Sequence, residues 1–84
     1  MISSTKTTHE LPRLSQLREG QGGLVKTLEG GAAFRSKMIA LGILPGIRVD
    51  VLRGGQGGCL VVGIGRNRVM LGRGMAEQIV LGAP

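Results

Sequence analysis

The sequence predicts a small, mainly β fold: a barrel of about five strands carrying one short amphipathic helix. Three observations lead there. The 84 residues suffice for one domain of the smaller kind. The sixteen glycines fall between short apolar runs rather than in one tract, the pattern of turns and bulges linking strands. A single segment switches from the period of a strand to that of a helix.

The elements follow in chain order. Met1 to Glu10 is polar, lacks the apolar run of a signal peptide, and reads as part of a disordered tail over 1–12, leaving a domain over 13–82. Leu14 to Leu17 reads as one helical turn that packs both leucines under the barrel. Gly20, Gly22 and Gly23 precede a first strand, Leu24 to Leu28. Within Ala33 to Leu41, Phe34, Met38 and Leu41 recur at i, i+4 and i+7 while Arg35, Ser36 and Lys37 fall elsewhere, which makes this the amphipathic helix. Gly42 stands where a left-handed residue would end it, and Pro45-Gly46 suits the central pair of a type II turn. The clearest strand is Ile47 to Val51, where Ile47, Val49 and Val51 alternate with Arg48 and Asp50. Gly54, Gly55, Gly57 and Gly58 separate it from a strand over Cys59 to Ile64, in which Cys59 reads as a small apolar core residue. Arg66-Asn67 reads as a hairpin turn, and strands over Val69 to Leu71 and Ala76 to Leu81 complete the five. Leu52, Val61, Met70 and Val80 fall out of phase with these core positions, and would give an apolar centre to a docking surface or a homodimer.

The formal charge is +6. Lys6 and Glu10 cancel, so the excess belongs to the domain and favours acidic partners: nucleic acid, anionic lipid or an acidic protein surface. Phe34 is the only aromatic residue. Modules that grip single-stranded nucleic acid stack bases on several exposed aromatics, which argues against that partner; the arginines Arg66, Arg68 and Arg73 near one hairpin are what would speak for it. No apolar run approaches the ~18–20 residues that span a bilayer. The lone cysteine cannot form an internal disulfide, which suits a reducing, cytosolic compartment.

Chemistry-bearing motifs fail one by one. Lys26-Thr27 follows Val25 where a phosphate loop needs glycine, and Gly20-Gln21-Gly22, Gly63-Ile64-Gly65 and Gly72-Arg73-Gly74 each lack the third glycine of a dinucleotide fingerprint. The single histidine, His9, lies in the tail, and the five carboxylates are scattered, with Glu19, Glu29 and Glu77 at element ends. That supplies neither paired acids nor a base beside a nucleophile, so no enzyme is expected. Metal sites want three or four close ligands, so no metal and no cofactor is expected either.

Sequence specificity resides in Phe34 to Gly46. A basic amphipathic helix running into Leu41-Gly42-Ile43-Leu44-Pro45-Gly46 and then an alternating strand resembles the FeoA family, and Leu41, Gly42, Pro45 and Gly46 carry the family motif. The resemblance extends from Leu14 to Leu81. It implies an SH3-like barrel and a non-catalytic accessory role in ferrous iron transport and iron homeostasis, a setting of transition-metal ions. It also implies a cytoplasmic location, peripheral at the inner membrane through its partner, the cytoplasmic region of a FeoB-type transporter that carries a GTPase domain. Arg35 and Lys37 of the helix with Arg48, Leu52 and Arg53 of the next strand are the expected partner-binding surface. Many relatives have a Gly-Asp-Pro-like bend before the third strand; Gly54-Gly55-Gln56-Gly57-Gly58 replaces it here and is expected to be more mobile.

Overall fold

A computed structural model describes residues 11–55 and 58–82. The tail expected over 1–12 lies outside these but for its last two residues, as do Gln56 and Gly57 of the glycine-rich loop.

Five strands alternate with little helix: β1 (Gly22–Leu28), α1 (Ala32–Ala40), β2 (Arg48–Gly54), β3 (Leu60–Ile64), β4 (Asn67–Leu71), α2 (Arg73–Glu77) and β5 (Ile79–Gly82), with a single 3-10 turn at Leu14–Gln16 before them. They form one antiparallel sheet in the order β4-β3-β2-β1-β5. It curls about one core, to which Val25, Val49, Val51, Leu60, Val62 and Leu81 contribute from the strands, Met38 from α1, Ala76 from α2 and Leu14 from the 3-10 turn.

Helix α1 is laid out as its periodicity predicts. Met38 is fully buried, with Phe34 and Leu41 packed against the core beside it. Its C-terminus is a Schellman closure: the N–H of Ile43 donates to the carbonyl of Met38 at 2.8 Å and that of Gly42 to Ile39 at 2.9 Å, with Gly42 at φ +92°. Ile43 and Met38, the apolar pair that accompanies this motif, are both fully buried. The type II turn follows, Ile47 N donating to Leu44 O at 3.1 Å around Pro45 and Gly46, the latter at φ +94°. Gly46 N then bonds Val25 O, and Val25 N bonds Ile47 O, both at 2.8 Å. The motif thus clips the helix to β1.

Several expectations need correction. The β3–β4 turn is Gly65-Arg66, one residue earlier than Arg66-Asn67: Ile64 pairs with Asn67 and Gly65, at φ +62°, takes the left-handed position that glycine fills without strain. The stretch from Ala76 is not strand from its start, because Ala76 N closes a helical turn onto Gly72 O at 3.1 Å, and β5 begins only at Ile79. Ile47, in the turn before β2, is exposed despite its favourable phase. Cys59 is exposed and precedes β3. Leu60, Val62 and Ile64 take the inner face, so the alternation sends 59, 61 and 63 outward. Val80 is buried rather than part of an outer apolar centre, because the segment before the 3-10 turn covers it: Arg13 bridges to Val80, and Leu81 N donates to Pro12 O at 2.9 Å.

Candidate docking surface

The outer face of β2, β3 and β4 is where exposed apolar and cationic side chains meet. Pairing of β2 with β3 runs Asp50 to Gly63 and Val51 to Val62, then Arg53 to Val61, so Leu52 is an extra residue in a bulge. The bulge turns Leu52 and Arg53 both outward. Leu52 lies across Gly63, where any side chain would crowd its methyl groups at 3.2 Å. Beside it, Val61 pairs with Met70 and Gly63 with Arg68. Leu52 is 42% exposed and Met70 72% exposed, values that place two large apolar side chains in solvent. Leu52, Arg53, Val61 and Arg68 line one shallow depression; Arg53, Cys59, Val61 and Met70 line another beside it.

A separate groove runs between β1 and α1, lined by Lys26, Thr27, Leu28, Arg35, Ile39 and Pro45. Arg35 therefore belongs to the helix side and Arg53 with Leu52 to the sheet side. Lys37 is exposed on α1 and borders neither hollow. Arg48 is engaged within the chain: its guanidinium donates to the Asp50 carboxylate, Nη2 to Oδ1 at 2.9 Å. That hydrogen bond, and then the carboxylate's charge, raise the Arg48 pKa above its ordinary value.

Every described carboxylate is similarly occupied. Arg13 pairs with Glu29 at 2.7 Å and Arg73 with Glu77 at 3.0 Å, while Glu19 accepts the N–H of Gly54 at 3.0 Å. Arg73 is thereby withdrawn from the cluster with Arg66 and Arg68 that its place near the hairpin suggests. Among the described residues, no carboxylate is within ion-pair distance of Lys26, Arg35 and Lys37 on the helix side or of Arg53, Arg66 and Arg68 on the sheet side. The sequence flagged Arg35, Lys37, Arg48, Leu52 and Arg53 for a protein partner and Arg68 only within a phosphate-gripping cluster; it did not flag Lys26. The place of Arg68 opposite Gly63 depends on the hairpin register, and the turn expected one residue later would set Met70 there instead. Among the described residues, no three His, Cys, Asp or Glu side chains gather as metal ligands, and no helix is long and apolar enough to cross a membrane.

Comparison with known proteins agrees with the geometry. The family model for the FeoA domain matches residues 13–81. A Methanocaldococcus jannaschii protein named for Fe(2+) transport, protein A, is 26% identical over 68 residues, which cover 81% of this chain and 82% of that one. The crystal structure of an iron uptake regulatory protein, FeoA, superposes with a TM-score of 0.79 at 28% identity, covering 86% of this chain and 96% of that chain. A Stenotrophomonas maltophilia FeoA, solved in complex with zinc and described as a prokaryotic SH3 domain protein, superposes with a TM-score of 0.71 at 25% identity over 84% of this chain and 89% of its own. The five-stranded antiparallel fold seen here is thus SH3-like.

Proposed function

Because the chain belongs to the FeoA family, and so to the accessory proteins of ferrous iron transport, we propose that it acts without catalysis by docking on the cytoplasmic region of a FeoB-type membrane transporter. Its place is then the cytoplasm, at the inner membrane through that partner. The partner is met at two places, Arg35 and Lys37 on the α1 side and Leu52 and Arg53 on the sheet side, with Arg48 on β2 held by Asp50.

One observation carries the docking reading: each described carboxylate is already bonded within the chain, so the unpaired cations on both sides of α1 and β2 have their complement elsewhere. An acidic protein surface supplies it. The only aromatic side chain, Phe34, is packed against the core, which leaves no stacking platform for bases.

The test is a titration of the labelled chain with the soluble cytoplasmic region of the transporter at two ionic strengths. Saturable binding that weakens with salt is expected, and Arg35→Glu with Lys37→Glu should weaken it further. Unchanged binding in that double reversal would reject the helix face as the docking surface while leaving the partnership intact. Tighter, salt-dependent binding to duplex DNA or RNA than to the transporter region would reject the reading in favour of nucleic acid.

A further inference from the structure

We propose that the open edge of β4 is a strand-addition site for an extended partner segment that alternates acidic and apolar residues on one face. This deepens the docking reading by naming the chemistry of a segment the partner would present, and rests on that reading only for the partner's identity.

The two edges of the sheet are treated differently. Beyond β5, the outer side is covered by Pro12 and Arg13 through the Leu81 bond and the Val80 bridge. Beyond β4 no described residue pairs: among the described residues the sheet ends there, and no backbone bond to any other described segment involves residues 67–71. The hairpin register fixes which groups are free. Ile64 and Asn67 flank a two-residue turn and so exchange hydrogen bonds, and the alternation makes Val62–Val69 and Leu60–Leu71 the other bonded pairs. Arg68 and Met70 occupy the intervening positions. Their N–H and C=O groups point away from β3, a ready template for one more strand.

The side chains at these two positions select the strand. Both lie on the outer face, where Arg68 borders the hollow with Leu52 and Arg53 and Met70 stands 72% exposed next to Val61. A strand added at this edge places alternate residues on the same face, one beside Arg68 and the next but one beside Met70. A carboxylate suits the first and an aliphatic group the second. Arg53, Arg66 and Arg68 have no carboxylate among the described residues, so the electrostatic complement is acidic. A second copy of this chain is the wrong occupant, because it would bring one +6 chain against another with arginines at the contact.

The probe is a blocked heptapeptide, Glu-Thr-Val-Thr-Glu-Thr-Val, titrated into the isotope-labelled chain and followed by amide exchange. With about nine-tenths of the chain bound, exchange at the Arg68 and Met70 amides should slow about tenfold, since only free chain exchanges. Replacing both peptide glutamates by lysine should abolish the effect, and Arg68→Glu should reverse the preference between the two peptides. Met70→Pro removes one outward N–H without touching a bond to β3, a substitution edge strands accept, and should lose binding. No slowing at these amides up to about 1 mM peptide, equal binding of the lysine peptide, perturbation confined to the Lys26–Arg35 groove, or self-association of the chain in its place would each overturn the proposal. If Met70→Pro still binds the transporter region at full strength, strand addition fails for that partner and the docking reading stands. If the peptide protects Arg68 and Met70 but the transporter region does not bind, the site stands and the docking reading fails.

Discussion

Leu52 and Met38 show how differently two apolar side chains of one small chain are employed. Met38 is fully buried at the centre of the core, and Met38→Ala should lower unfolding free energy by about 2–5 kcal/mol in urea titration, through lost transfer energy and the cavity left behind. Leu52 is held at the surface by the bulge and by the room above Gly63. Leu52→Ser should change stability by no more than about 0.5 kcal/mol, as for other surface replacements, while weakening partner binding. Cys59 gives a sharper test of side-chain placement. Its exposure means that a thiol reagent should label the native chain stoichiometrically without denaturant; labelling that waits for unfolding would return it to the core. The sequence suggested burial because Cys59 abuts an apolar run, and a run of four apolar residues does not reveal which of its two alternating sets faces inward. Strand phase is fixed by pairing partners, Leu60 with Gly54 and Leu71, that only the fold brings together.

At the scale of elements, local chemistry was most legible where the chain must change direction. Gly42, Pro45 and Gly46 announced a helix stop and a type II turn, and both are present with the expected hydrogen bonds. Gly46→Ala should cost about 1–2 kcal/mol, the penalty of placing a Cβ in the left-handed region, and the loss should appear in thermal melting even though no side-chain contact is removed. Legibility fell where two local solutions compete. Gly65-Arg66-Asn67 offers two overlapping turns, and the glycine decides between them by accepting positive φ at the first loop position. Arg73 to Glu77 has no alternation to mark a strand, and its five-residue helix is held by packing against the 3-10 turn, a contact between segments some sixty positions apart in the sequence. The family motif itself clips α1 to β1, so it marks descent and shapes the barrel; the cationic side chains around it are what remain available to a partner.

Across the whole molecule, charge and architecture converge on one outward role. A thin core with contributions from every strand consumes most of the large apolar residues, and the described carboxylates are consumed by internal bonds. What is left over is cationic, with Leu52, Val61 and Met70 on one side and Ile39 in the groove on the other. The excess charge is legible in composition alone, as ten basic against four acidic side chains from Leu11 onward. Composition is silent on which arginines are bonded: Arg48 and Arg73 hold Asp50 and Glu77 while Arg53 and Arg68 hold no carboxylate among the described residues, since ion pairing depends on rotamers and register. The most direct measurement is a calorimetric titration of the soluble cytoplasmic region of the FeoB-type transporter with the intact chain and with its Arg53→Glu, Arg68→Glu variant. Saturable binding by the intact chain, weakened at least about tenfold in the variant, as expected for losing close charge pairs at an interface, is the expected result. Absence of binding by the intact chain at concentrations of about 100 μM, or undiminished binding by the variant together with the Arg35→Glu, Lys37→Glu chain, would contradict it.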